Sequence, residues 1–237
     1  ASDVYKRQRL MGYKECFEIM GKDRNSYSKT DLEATFMRMK EDHMKNGQLK
    51  AAYNVQIAVE NYFIVQAYVS NDRTDYNTLI PVLEKHKNAF GEILGEVTAD
   101  SGYCSEKNLL YLKKHKISSY IKLQDHEKRK TRAYTEEIGK YYNMKTQIFE
   151  DELYYICHDG RELHHIRTEK KEQAGYTQTF EVYGCSDCSG CRHKEKCLYK
   201  YDAEKDAEKN KVMKINEQWE ALKEESHGNI QSEKGIL

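Results

Sequence analysis

From Tyr53 onward, polar and apolar positions alternate along the chain. The stretch "YNVQIAVE" has period two and "YFIVQAYVS" is β-branched and aromatic, the composition of half-buried strands. Glu60-Asn61 between them suits a tight hairpin turn. The period then lengthens: "NDRTDYNTLIPVLEKHKNAFG" places Leu79, Val82, Leu83 and His86 on one helical face and ends near Gly91. Pro81, the only proline, fits a first turn capped by Thr78, where a missing N–H costs little. "EILGEVTAD" predicts a short buried strand running into Asp100. "SEKNLLYLKKHK" predicts a helix with Ser105 as an imperfect cap, and "SSYIKL" a further strand. The order strand, strand, helix, strand, helix, strand describes a hairpin feeding a parallel α/β arrangement.

Either side of this region the pattern differs. Arg9 to Met20 reads as a short amphipathic helix and "GKDRNSYSKTD" as polar turn. The first eight residues, "ASDVYKRQ", read as a translated sequencing adapter and carry no weight for the fold. "NIQSEKGIL" stops without a cap or turn, so the expectation is an internal piece of a longer protein. After Leu123 comes the basic "QDHEKRKTRAY". "KTQIFEDELYYICHDG" and "RELHHIRTE" then look like a hairpin turning at Asp159-Gly160. Ala203 to Glu225 predicts one long charged helix with Val212, Ile215, Trp219 and Leu222 as its apolar stripe. The expected organisation is an artefact at 1–8, a helical or irregular lead-in at 9–52, part of an α/β core at 53–124, a basic loop and Cys-rich insert at 125–200, and a charged helix at 201–237.

Composition narrows the picture in three ways. At 237 residues, with 38% hydrophobic and 33% charged, there is material for one compact core with much wet surface. Lys+Arg and Asp+Glu tie at 39 each, so net charge is silent about nucleic acid and only local clusters can argue for it. No apolar run approaches the roughly 20 residues of a membrane span, and no secretory leader pattern is present, so a soluble cytoplasmic protein is expected. Seven Cys, mostly bunched in one segment, point to a metal site in a reducing compartment more than to a disulfide framework.

Three constellations carry candidate chemistry. Asp100 stands where strand character stops and a helix begins, the place where ligand sites form in open α/β sheets. The same position suits a plain helix cap, and Gly102 serves either reading. Cys185, Cys188, Cys191 and Cys197 are spaced C-x2-C-x2-C-x5-C, with Cys157 on the hairpin upstream. Soft thiolates this close suit tetrahedral Zn²⁺, with an iron–sulfur cluster or unliganded thiols as alternatives. His158, His164, His165 and His193 read as exposed, and Cys16 and Cys104 as ordinary thiols. Lys128, Arg129, Lys130 and Arg132 form a basic stretch that could contact DNA phosphates or be a solvated loop, and Lys113, Lys114 and Lys116 could extend it.

Taken together, "YNVQIAVE", "ADSGYCSEKNL" and "RNSYSKTDLEATFMRMKEDHM" resemble the DDE transposases of bacterial insertion sequences, from about Arg24 to the C-terminus. The resemblance implies an α/β fold with an incomplete RNase H-like core (a mixed sheet with helices), interrupted by a zinc-binding β insert and followed by a charged helix. It implies DNA cleavage and strand transfer on double-stranded DNA, both element ends and target, by two Mg²⁺ ions about 4 Å apart on three carboxylates. A homo-oligomer is the implied active complex, with no membrane partner. Asp100 matches the family's second acid. The first acid belongs to an upstream "DGT"-like strand and the last to a helix beyond "SEKGI", so the chain would hold one acid of three and would not cut DNA alone. Asp31, Asp72 and Asp75 sit in turn-like contexts, and Glu224, Glu225 and Glu233 on a charged face, so none is read as a replacement. The zinc ligands implied are Cys157, Cys188, Cys191 and Cys197, with Cys185 spare or substituting for Cys157. An RNase H-like nuclease without strand transfer, and a non-catalytic zinc module binding DNA or protein, are the rival readings.

Overall fold

The computed structural model describes residues 2–22, 24–39, 44–91, 95–173 and 176–236. Residues 40–43 of the "MRMKEDHM" stretch, and residues 92–94 at the start of the strand expected before Asp100, lie outside the described residues. Two compact units follow one another along the chain, 1–119 and 120–237.

In the first unit, α1 (Ser2–Met20) covers the helix expected from Arg9 and begins earlier. Arg24 closes its last turn by donating to the carbonyls of Ile19 and Met20. β1 (Thr35–Arg38) and β2 (Leu49–Ala52) pair antiparallel, a correction to the lead-in read as helical or irregular. Their pairing joins residues distant in sequence, which local polarity does not reveal.

β3 (Asn54–Glu60) and β4 (Phe63–Ser70) form the expected hairpin, but the turn is Asn61-Tyr62 rather than Glu60-Asn61. Glu60 is paired with Phe63, and both turn residues take positive φ (48° and 71°), as a primed turn requires. α2 (Leu79–Phe90) buries Leu79, Val82, Leu83 and His86, as predicted, and ends at Gly91 with φ 82°. β5 (Glu96–Ala99) is followed by α3 (Glu106–Lys114), whose cap is Ser105 accepting from Asn108 N. β6 (Ser118–Ile121), where the division between units falls, pairs with β5.

β5 is not the buried strand expected. Its residues alternate between exposed and half-buried, because its sheet has only two strands among the described residues. For the same reason the mixed core sheet appears as separate two-stranded pairs rather than as one layer. The unit's core is Leu79, Val82 and Leu83 of α2 with Leu109 and Leu112 of α3 and Ile117.

The second unit opens with two single-turn helices, α4 (His126–Arg129) and α5 (Arg132–Thr135). A five-stranded antiparallel sheet follows, built from β7 (Lys145–Phe149), β8 (Glu152–Ile156), β9 (Glu162–Gln173), β10 (Tyr176–Cys185) and, after α6 (Lys194–Cys197), β11 (Val212–Ile215). Its order is β11-β10-β9-β8-β7. The chain turns where expected, with Gly160 at φ 79°, and turns once more at Glu150-Asp151 (φ 48° and 65°), which splits the upstream stretch into β7 and β8. The long helix expected from Ala203 is corrected. Val212 and Ile215 lie on β11, paired with β10, and only α7 (Glu217–Gln231) and the short α8 (Glu233–Ile236) are helical.

The reason for this correction is visible in "VMKI". Met213 and Ile215 are buried while Val212 and Lys214 are exposed, a period of two that satisfies a strand on a sheet edge. Asn216 then caps α7 by accepting from Trp219 N at 2.9 Å. The sheet's core gathers Tyr155, Leu163, Tyr183, Met213 and Ile215 with two thiols, Cys185 and Cys188. Among the described residues no helix is long and apolar enough to cross a membrane.

Candidate functional site

β5 ends at Ala99, and Asp100 caps the 3₁₀ turn Ser101–Tyr103 through Oδ1, which accepts from Gly102 N. The cap reading is thus realised by one oxygen, while the carboxylate as a whole stays exposed. Facing it is Asp75, at the head of the 3₁₀ turn Asp75–Asn77. Asp75 Oδ1 accepts from Asn54 Nδ2 at 2.8 Å and from Gln56 Nε2 at 3.0 Å, which fixes the group against β3. A Cβ placed on Gly102 would lie 3.0 Å from Asp100 Oδ1 and 3.0 Å from Asp75 Oδ2, so the two oxygens are within twice that distance of each other. Glycine at 102 is what leaves this space open. Among the described residues neither carboxylate forms an ion pair.

Two side chains hold this arrangement. The Tyr103 hydroxyl donates to Gln56 Oε1, completing a chain from Tyr103 through Gln56 to Asp75. Burial raises the Tyr103 phenol above its ordinary range, and the charges of Asp75 and Asp100 raise it further. Asn108, fully buried on α3, donates to the carbonyls of Tyr76 and Tyr103 at 2.9 Å each, tying together the turns that carry the two acids. Sequence reasoning set Asp75 aside as a turn residue. The turn role is real, since its carbonyl accepts from Thr78 N, but no local signal foretold that its side chain meets Asp100.

In the second unit Cys157, Cys185, Cys188, Cys191 and Cys197 all line one cavity of about 20 Å³, together with Arg161, Lys194 and Lys211. None is in a disulfide. Cys157 is brought there by the turn after β8, where its N–H donates to Arg161 O at 2.8 Å. Burial pushes the Cys197 thiol up; Lys211 opposes this, and Cys157, Cys188 and Cys191 add to it, which identifies those three thiols as its neighbours. Burial pushes Cys185 up to about 11, and its Sγ donates to Asp187 O at 3.2 Å. The thiols face a common space without converging on a point. Among the described residues no three His, Cys, Asp or Glu side chains stand ready as a metal cage. His193 packs edge-on against His158, with ring centroids 4.8 Å apart, and does not line the cavity.

Each residue of the basic stretch has an acidic partner. Lys128 pairs with Glu137 at 2.9 Å, Arg129 with Asp125 at 3.1 Å and Glu224 at 2.8 Å, Lys130 with Glu127 at 3.1 Å and Arg132 with Glu136 at 2.5 Å. Arg129 is the structural member, with its side chain 16% exposed and bridging α4 to α7. Burial works against its charge, and the hydrogen bonds to Glu224 and Asp125 more than restore it. Lys130 and Arg132 are 60% and 89% exposed, and surface pairs of that kind are worth at most about 1 kcal/mol, so both remain exchangeable.

Residues 156–237, the part holding the five cavity cysteines and α7, match the family model described as a transposase DDE domain. The match bears out the resemblance to DDE transposases. Asp75 and Asp100 lie outside the matched residues. No curated protein and no solved structure matches the chain.

Proposed function

We propose that this chain is part of a DNA transposase in which Asp100, with Asp75 beside it, holds Mg²⁺ for phosphoryl transfer, while the thiol cavity holds a structural Zn²⁺. The observation that carries the first half is the approach of two carboxylates around Gly102, neither of which forms an ion pair among the described residues. Like charges this close repel, and a divalent ion relieves the repulsion. Oxygen donors suit Mg²⁺. When bound, the ion would polarise a phosphoryl oxygen and lower the pKa of a water or hydroxyl.

The chain's own groups then have definite tasks. Asp100 offers its free oxygen from the end of β5 while its capping oxygen stays on Gly102 N. Asp75 is oriented by Asn54 and Gln56. Asn108 keeps the two turns in register. Among the described residues no third His, Cys, Asp or Glu joins Asp75 and Asp100, so no cleavage is expected from these two acids alone. Exposed Lys128, Lys130 and Arg132 exchange their glutamates for phosphates, whereas Arg129 braces the fold.

For the zinc half, the donor set is the support. Five thiols lining one cavity are the soft donors that Zn²⁺ prefers. Cys157, Cys188, Cys191 and Cys197 would be the ligands, the set the resemblance implies, while Cys185 donates to Asp187 O. The ion would supply folding energy to the insert rather than chemistry.

Tyr103 reports on the first half. With ¹³C-labelled tyrosine, saturating Mg²⁺ is expected to lower the Tyr103 pKa, because neutralising Asp75 and Asp100 removes two of the causes that raise it. Asp100→Asn is expected to weaken this response, and in the parent transposase to abolish Mg²⁺-dependent cleavage with zinc content unchanged. A Tyr103 titration indifferent to Mg²⁺, together with cleavage that survives Asp100→Asn, would refute the assignment.

A further inference from the structure

The loop that carries Cys185, Cys188 and Cys191 is fastened by a segment with no thiol of its own. Asn210 Nδ2 donates to Ser186 O at 2.7 Å, and Asn210 Oδ1 accepts from Cys188 N at 2.9 Å. One amide therefore closes the turn between two loop residues from outside it. The next residue continues the pattern. Lys211 O accepts from Cys185 N at 2.9 Å, Lys211 N donates to Cys188 Sγ at 3.3 Å, and Lys211 Nζ donates to Cys197 O at 3.0 Å. Lys194, on the helix that ends in Cys197, donates to Ala207 O in the same segment. Arg161 braces the loop from its other side through Asp187 O and Ser189 O at 2.8 and 2.9 Å.

An N–H aimed at sulfur is informative. Sulfur is a weak acceptor, so an amide placed this close fixes the direction in which Cys188 turns its Sγ. Asn210 holds the Ser186–Cys188 turn against that amide. Outer groups of this kind orient ligands and are commonly worth about 10- to 100-fold in metal affinity.

We propose that Asn210 is a positioning residue for a soft-metal site: its side chain clasps the Ser186–Cys188 turn so that Cys188 presents its sulfur to the ion under the Lys211 amide. The proposal rests on the zinc reading above. It adds a residue outside the cysteine pattern, 13 residues beyond Cys197 (210 − 197), that the C-x2-C spacing does not announce.

The test uses the whole chain, stripped of metal and titrated with Co²⁺ and then Zn²⁺ against a chromophoric chelator. Wild type is expected to bind one ion with the thiolate-to-cobalt charge-transfer band of a multi-thiolate site. Asn210→Ala is expected to lower affinity by about 10- to 100-fold with the band intensity per bound ion unchanged, because no ligand is lost. Asn210→Asp keeps the acceptor for Cys188 N but sets a carboxylate oxygen against Ser186 O, so it is also expected to lower affinity. Should Asn210→Ala fail to fold, the Asn210→Asp result decides: unchanged affinity overturns the clasp and a loss supports it. Unaltered affinity in a folded Asn210→Ala overturns it equally. A wild-type chain that binds neither ion removes the zinc reading itself, an outcome distinct from failure of the clasp alone.

Discussion

The two units hold their candidate sites in opposite ways. In the second, Cys185 and Cys188 are part of the hydrophobic core, packed with Tyr155, Leu163, Tyr183, Met213 and Ile215 of the five-stranded sheet. In the first, the two acids sit at the rim of short strand pairs, held by side-chain amides, and the nearby hairpin leaves Val55, Ile57 and Val59 more than half exposed along one face of β3. A site built into a core is as stable as the core. A site built on amide hydrogen bonds at a rim is adjustable, and each of its bonds contributes only about 1 kcal/mol.

The sharpest way to break this comparison is to remove matched apolar side chains. Leu163→Ala, at a fully buried position, is expected to cost about 2–5 kcal/mol in urea denaturation of the second unit. Ile57→Ala, at 57% exposure, should stay within about 0.5 kcal/mol. Comparable losses would mean that the hairpin face is not the open surface described. Next in size is Asn108→Ala, which deletes two hydrogen bonds of a buried amide. About 1–3 kcal/mol is expected, with weaker Mg²⁺ response at Tyr103 and unchanged soft-metal binding in the other unit.

Smallest is the effect of acid on the α5 region. The hydrogen bonds from Lys128 and Tyr142 hold the Glu137 carboxyl below its ordinary range. A depressed folded value means this contribution is present above the unfolded glutamate pKa of about 4.3 and is lost as pH falls through the folded one. Near-ultraviolet dichroism of the stacked Tyr134 and Tyr142 should therefore fade in acid, and Glu137→Gln should flatten that profile.

Much of this protein is legible in the one-dimensional pattern because it depends on near neighbours. The face of α2, its Gly91 terminus, the Ser105 cap and the order of elements around Asp100 follow from periodicity and capping chemistry. The cysteine spacing is likewise local, and it foretells thiols in one place. Where the reading failed, a long-range partner outweighed a local preference. "VMKI" continues a plausible helical stripe, yet it pairs with β10, because a strand there buries Met213 and Ile215 against an existing sheet.

The amino-acid order alone therefore determined which segments are helix or strand wherever the period was clean, and that sulfur ligands would cluster. Only the tertiary structure decided that Asp75 meets Asp100, that five of the seven cysteines share one cavity, and that Asn210 fastens the loop between them. The physical reason is that these meetings join turns and strands far apart in the chain. Their geometry is set by packing and by hydrogen bonds formed only when the chain has folded, and no spacing rule records that.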